Sequence, residues 1–75
     1  MAKVFTVAVK DPHSITLFDA STGAYEGIIY VTSGSIVGSP IISQKDVSVT
    51  VQENGVLYMI SYNMTNRSLL RKIRV

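Results

Sequence analysis

The chain has 75 residues, no cysteine and a single histidine, so neither a disulfide nor a Cys/His metal cluster can reinforce so small a domain. Its net charge is only +2, its charged fraction is 16% and its mean hydropathy is +0.30. That balance is apolar for a short chain, which predicts that some apolar surface faces a partner. We therefore expect a homo-oligomer.

The first half predicts three strands, because Val, Ile, Thr and Tyr dominate it. In chain order the predicted strands are residues 4–9, 14–20 and 25–32, with turns at 10–13 and 21–23. In the second strand Ile15, Leu17 and Asp19 share one face, and Thr16 and Phe18 the other. Residues 33–39 are small, and we expect them to be flexible.

The second half predicts four more strands, at residues 40–43, 47–51, 56–62 and 69–75. Residues 47–51 alternate strictly, as a half-buried strand does. The sequence Asn54-Gly55 is a strong hairpin signal. The last segment is also compatible with a short helix capped by Asn66, with Leu69, Leu70 and Ile73 on one face.

The two halves align with each other. Residues 5–9 match 47–51, residues 15–19 match 57–61, and residues 25–31 match 69–75, so the offset rises from 42 to 44. A repeat of this length with several short strands indicates propeller blades and favours a strand at the end of the chain. We predict a single all-β domain over residues 1–75, with one repeat at about 4–32 and another at about 40–75.

Two segments, "SITLFDASTGAYEGIIYV" and "GSPIISQKDVSVTVQENGVLYMISYN", resemble blades of β-propellers in the quinoprotein and WD40-like group. Asp19, Thr22 and Gly23 match the D-x-x-T-G turn that precedes the outer strand of such blades. Asn63, Thr65 and Asn66 occupy the same motif only approximately. The chain departs from the pattern because it has no tryptophan and because its first blade lacks an inner strand.

This resemblance implies assembly, because two blades cannot close a ring that needs at least about four. Three copies would supply six blades, and the Ile41 strand of each copy could complete a blade across a boundary. Small oligomeric propeller subunits, including some lectins, have this plan. The alternative fold is a small β-sandwich or barrel within one chain.

No residue pattern indicates catalysis, and we predict no enzyme activity, no catalytic residue, no cofactor and no metal site. Asp11, His13 and Ser14 are close in sequence, but a catalytic triad needs groups that converge through tertiary structure. We expect a polar hairpin turn there.

Two sets of side chains are candidates for contact with partners. The predicted interface residues are Val4, Phe5, Ile41, Ile42, Leu69, Ile73 and Val75. The candidate ligand-binding residues are Tyr25, Tyr30, Tyr58 and Tyr62, which could stack on sugars or face neighbouring blades. Arg67, Arg71, Lys72 and Arg74 cluster near the C-terminus, where we expect a solvated strand or interface ion pairs rather than a nucleic-acid site. In a strand, Arg71 shares a face with Leu69 and Ile73, and Lys72 and Arg74 share the opposite face.

The expected function is a non-enzymatic structural subunit of a symmetric homo-oligomer or larger complex, set in a virus (phage) particle. Other structural proteins are further expected partners, and the alternative function is an oligomeric carbohydrate-binding lectin. The start "MAKVFTVAVKD" lacks the features of a signal peptide, and no apolar run reaches the ~20 residues of a membrane span. We expect cytoplasmic synthesis, followed by incorporation into a virion.

Overall fold

The computed structural model describes residues 3–75, and Met1 and Ala2 of the predicted domain lie outside the described residues. The chain forms seven strands and no helix over these residues. They are β1 (Phe5–Asp11), β2 (Ser14–Asp19), β3 (Tyr25–Tyr30), β4 (Ser35–Ser43), β5 (Asp46–Glu53), β6 (Val56–Asn63) and β7 (Leu69–Arg74). The all-β prediction is confirmed, and the last segment is a strand rather than a helix. Accordingly, residues 3–75 contain no helix with the length and apolarity to cross a membrane.

The strands form two antiparallel sheets. Sheet A has the order β1-β2-β3, and sheet B has the order β4-β5-β6-β7. Both sheets stay open over residues 3–75, so the chain is not a closed barrel. Within each sheet consecutive strands are neighbours, because short turns join them.

The expectation of a flexible segment at residues 33–39 is wrong, because β4 already begins at Ser35. Ile36 is buried in the core, and its N–H donates to the carbonyl of Pro12 at 2.8 Å. Within the chain Ile41 pairs with Ser48 of β5, so β4 is an edge strand of sheet B. That this strand completes a blade of another copy stays a prediction.

The core lies between one face of each sheet, which we call the inner faces. The inner face of sheet A contributes Ile15, Leu17, Ile29 and Val31. Sheet B contributes Val47, Val49, Val51, Ile60 and Tyr62, with Ile36 and Met64 beside them. All these side chains form one buried cluster, so the two sheets are a single packed unit.

The same turn closes both repeats. The Asp19 N–H donates to the Ala24 carbonyl at 2.8 Å, and the Asn63 N–H donates to the Ser68 carbonyl at 2.9 Å. Oδ1 of Asp19 accepts from the N–H groups of the second and third residues after it, and Oδ1 of Asn63 does the same. Such side-chain bonding to the next backbone amides is why Asp and Asn favour turns.

One position of this turn has a left-handed backbone in both repeats. Gly23 stands there in the first turn with φ 76°, and Arg67 stands there in the second with φ 63°. Gly23 N–H donates to Asp19 O and Arg67 N–H to Asn63 O, both at 2.7 Å. Glycine adopts this conformation freely, whereas a residue with a Cβ does so at a cost of about 1 kcal/mol.

These hydrogen bonds set the equivalence of the two repeats. Asp19 corresponds to Asn63, an offset of 44 residues that holds through both outer strands. The Ala20 N–H donates to Val4 O, and the Met64 N–H donates to Lys45 O, so the offset between the first strands is 41. The sequence alignment was therefore right for residues 25–31, one residue off for 5–9 and two off for 15–19.

The equivalence shows that the two inner faces are unlike. Leu17, on the inner face of sheet A, corresponds to Ser61, on the outer face of sheet B. Conversely, Phe18 on the outer face of sheet A corresponds to Tyr62 on the inner face of sheet B. The internal contact is therefore head-to-tail: opposite sides of two equivalent sheets pack together.

Burial predicts how two leucines differ in their contribution to stability. Leu17 is 1% exposed and Leu70 is 41% exposed. Leu17→Ala should lower the free energy of unfolding by about 3 kcal/mol, because it leaves a cavity in the core. Leu70→Ala should lower it by less than about 1 kcal/mol. Urea unfolding followed by circular dichroism measures both, and equal losses would contradict this assignment of the core.

Candidate functional site

The outer face of sheet B carries apolar side chains that no other element within residues 3–75 covers. Val37, Thr50, Met59 and Ile73 form one row across the four strands. Ile73 is 53% exposed, and on the same face Ile41 is 60% exposed. The next row contains Ser48 and Ser61, whose hydroxyls are hydrogen-bonded at 2.8 Å, and ends at Arg71.

The outer face of sheet A differs in chemistry, and Ser14 and Thr16 on its central strand are buried. Its rows pair Thr6 with Phe18, Thr16 with Ile28, and Ser14 with Tyr30. Tyr30 is 69% exposed, and the Lys10 ammonium lies 5.6 Å from the centre of the Phe18 ring. This face therefore mixes small polar groups with aromatic rings and one aliphatic side chain, that of Ile28.

The predicted interface residues are placed as follows. Six of them are exposed: Val4, Ile41, Ile42, Leu69, Ile73 and Val75. Phe5 differs, because it is partly buried against the core. Ile41 and Ile73 share the outer face of sheet B, whereas Ile42 pairs with Val47 and so lies on the inner side. The sequence missed Val37, Leu57 and Met59 as members of the outer face, because that assignment needs the register.

The four tyrosines do not form one site. Tyr25 and Tyr30 are exposed on the outer side of β3. Tyr58 packs against the core, with the Lys72 ammonium 4.5 Å from its ring centre. Tyr62 is itself a core residue, and its burial raises the pKa of its hydroxyl. The prediction that Tyr62 stacks on a ligand is wrong, because its ring is not accessible.

The basic residues near the C-terminus do not form one surface either. A bulge at Leu70 interrupts β7, so Leu69 pairs with Tyr62 on the inner side while Arg71 pairs with Ser61 on the outer side. The expected common face for Leu69 and Arg71 is therefore wrong. Lys72 and Arg74 do share the opposite side, and Lys72 forms an ion pair with Glu53 at 3.1 Å.

A cleft of about 410 Å³ opens between the sheets at the end where the two equivalent turns lie. Phe5, Leu17 and Met64 supply its apolar part. Its charged lining is Lys3, Glu26, Lys45 and Arg67. Lys3 and Glu26 are paired at 2.9 Å, and that hydrogen bond raises the pKa of Lys3. This lining suits an anionic group attached to an apolar body.

Arg67 bridges the two sheets within this cleft. Its Nη2 donates to the carbonyl oxygen of Glu26 at 3.1 Å. Its guanidinium lies directly over Gly27, where an added Cβ would be 2.5 Å from Nη2. Gly27 lacks a side chain and therefore leaves the space that the guanidinium occupies. Arg67, in the left-handed turn of the second repeat, thus fills the gap between sheet A and sheet B.

The Asp11–Ser14 segment is a structural turn without the geometry of a catalytic triad. The Ser14 hydroxyl donates to Asp11 Oδ2 at 2.7 Å, and the His13 N–H donates to Asp11 Oδ1 at 2.8 Å. His13 Nδ1 lies 3.1 Å from the Gly34 carbonyl, to which it donates. The Ser14 hydroxyl donates to the Asp11 carboxylate instead of to the imidazole, so these three groups are not arranged as serine, base and orienting acid.

Comparisons with protein-family models, curated proteins and solved structures find no match to this chain. Within residues 3–75 no group of three or more His, Cys, Asp or Glu side chains is placed to hold a metal ion. The features that remain as candidates for function are the two outer faces and the cleft.

The Asp11 turn predicts a measurable pH effect. The Ser14 hydroxyl, and after it the His13 N–H, lower the pKa of Asp11. Ser14→Ala should raise that pKa toward the ordinary aspartate value of about 3.9. Because the pKa is lower in the folded state, this carboxylate contributes stability above about pH 4 that is lost as the pH falls through the folded value.

An NMR titration of the Asp11 carboxyl carbon measures the pKa directly. Ser48→Ala is the matched control, because the Ser48 hydroxyl bonds to Ser61 and not to a carboxylate. The control should leave the pKa of Asp11 unchanged. An unchanged pKa in Ser14→Ala would contradict the assigned cause.

Proposed function

We propose that this protein is a non-enzymatic assembly subunit that builds a symmetric homo-oligomer through its two outer faces. The observation that carries the proposal is the head-to-tail packing inside the chain. The inner face of sheet A already packs against the opposite side of the equivalent sheet B. The same kind of contact remains available between the outer face of sheet B and the outer face of sheet A in a second copy.

Repetition of this contact from one copy to the next predicts the kind of assembly. A contact between two different surfaces is heterologous, and it generates a ring when the rotation closes or a filament when it does not. The blade-like repeat favours a ring, because successive sheets around an axis meet in this way in propellers. A ring of three copies would contain six sheets.

The chemistry of the outer faces suits a contact that forms after folding. The internal contact is almost wholly aliphatic, as Val47, Val49 and Val51 against Ile15 and Leu17 illustrate. The outer faces mix exposed apolar residues with serine, threonine and arginine. Such a mixture keeps a free subunit soluble while leaving enough apolar area for association. A virus (phage) particle is the setting we propose, since repeated small subunits build such bodies.

Mixing two blocked variants tests the contact. Ile73→Asp places a charge on the outer face of sheet B, and Tyr30→Asp does so on sheet A. Each variant alone should be monomeric, because every head-to-tail contact needs both faces. An equal mixture should form heterodimers and nothing larger, since only one pair of intact faces remains. Analytical ultracentrifugation across a concentration series measures the masses.

Leu70→Asp is the control, because Leu70 lies in the β7 bulge outside the paired rows of either outer face. This variant should assemble as the wild type does. A monomeric wild-type protein at all concentrations would overturn the proposal. A dimer formed by Ile73→Asp alone would instead indicate contact between like faces.

Carbohydrate binding is the second candidate, on the observation that Tyr25 and Tyr30 are 62% and 69% exposed on one side of β3. Exposed aromatic rings can pack against the apolar faces of sugars. A glycan array read at high protein concentration tests this candidate. Binding that is lost in Tyr25→Ala and Tyr30→Ala would support it, and no binding to any glycan would remove it.

A further inference from the structure

We propose that Arg71 of one copy lies over Gly23 of the next copy, as the reverse of the internal contact between Arg67 and Gly27. This inference rests on the proposed head-to-tail assembly and names the residues that fix its geometry. It follows from two positions that are equivalent in the two repeats, one in the turn and one in the outer strand, which together carry two arginines and two glycines. Arg67 corresponds to Gly23, and Gly27 corresponds to Arg71.

Inside the chain, the turn of the second repeat supplies the arginine and the bulged strand of the first supplies the glycine. The Arg67 guanidinium fills the space above Gly27 and donates to the adjacent Glu26 carbonyl. Because Gly27 has no side chain, the guanidinium occupies the space that a Cβ would take.

Between copies, the same two positions meet with their residues exchanged. The bulged strand now supplies the arginine, because Arg71 is on the outer face of sheet B. The turn supplies the glycine, because Gly23 stands where Arg67 stands in the other repeat. An added Cβ at Gly23 would meet no atom of residues 3–75 within 4 Å, so the described part of the chain does not fill this space. One arginine therefore spans each gap, from opposite directions.

Exchanging the two residues tests the contact. Arg71→Gly should weaken association about tenfold, because the gap is left unfilled. Gly23→Arg should weaken it comparably, because two guanidinium groups would then share one space. The double variant R71G/G23R should restore association to within about threefold of the wild type, since the arginine then comes from the turn, as Arg67 does. Arg67 itself demonstrates that this turn conformation accepts arginine.

Arg74→Gly is the matched control, because it removes the same charge from the same strand on the inner side. It should leave association unchanged. Sedimentation equilibrium gives the association constants. The far-ultraviolet circular dichroism spectrum of each variant, compared with that of the wild type, verifies the fold. If glycine weakens β7 itself, Arg71→Ala serves as the second variant. It should also associate about tenfold more weakly than the wild type.

The outcomes separate this inference from the proposal beneath it. If the wild type assembles and the blocked faces behave head-to-tail, but Arg71→Gly and Arg71→Ala associate as the wild type does, the Arg71–Gly23 contact is overturned alone. A double variant no better than its single variants overturns it too. A wild type that never assembles overturns both.

Discussion

The fold depends on the contact between opposite sides of two equivalent sheets. Sheet A has three strands and cannot bury enough apolar surface alone, because short three-stranded sheets are stable only when one face is covered. Sheet B supplies that cover with the valines of β5, which alternate so regularly that one whole face is aliphatic. This contact fixes both inner faces, and it therefore also determines which side chains remain on the outer faces.

The repeated turn and bulge maintain the equivalence that makes this contact possible. In each repeat a side-chain oxygen, from the Asp19 carboxylate or the Asn63 carboxamide, accepts hydrogen bonds from two backbone amides. One extra residue then forms a β-bulge in the outer strand. Because a bulge exchanges the sides to which neighbouring residues point, it decides which residues face the adjacent sheet. Glu26 and Leu70 are the bulged residues, and Gly27 and Arg71 follow them. Two repeats with one backbone plan thus carry different side chains at the same contact positions.

Much of the architecture was predictable because it depends on local patterns. Alternation identified β5, and Asn54-Gly55 identified the hairpin after it, where both residues adopt positive φ. The repeat identified β7 as a strand. The register was not predictable from composition, for two reasons. The bulge at Leu70 has no signal in composition, and neither does the change of offset between the repeats from 41 in the first strands to 44 in the second strands. For that reason the common face of Leu69 and Arg71 was wrong, and the outer face of sheet B was found only in part.

The same reasoning explains why an arginine occupies a left-handed turn. Glycine would hold that backbone without strain, as Gly23 does in the other repeat. Arg67 accepts the strain because its guanidinium spans the gap between sheets and bonds to the Glu26 carbonyl. The internal contact is permanent, so an arginine anchored in the turn of the same chain suits it. In the proposed assembly the contact between copies would form and break, and an unstrained strand residue such as Arg71 would reach across it without distorting the free subunit. The distribution of arginine and glycine between the two repeats would then follow from which contact is covalently linked and which is not.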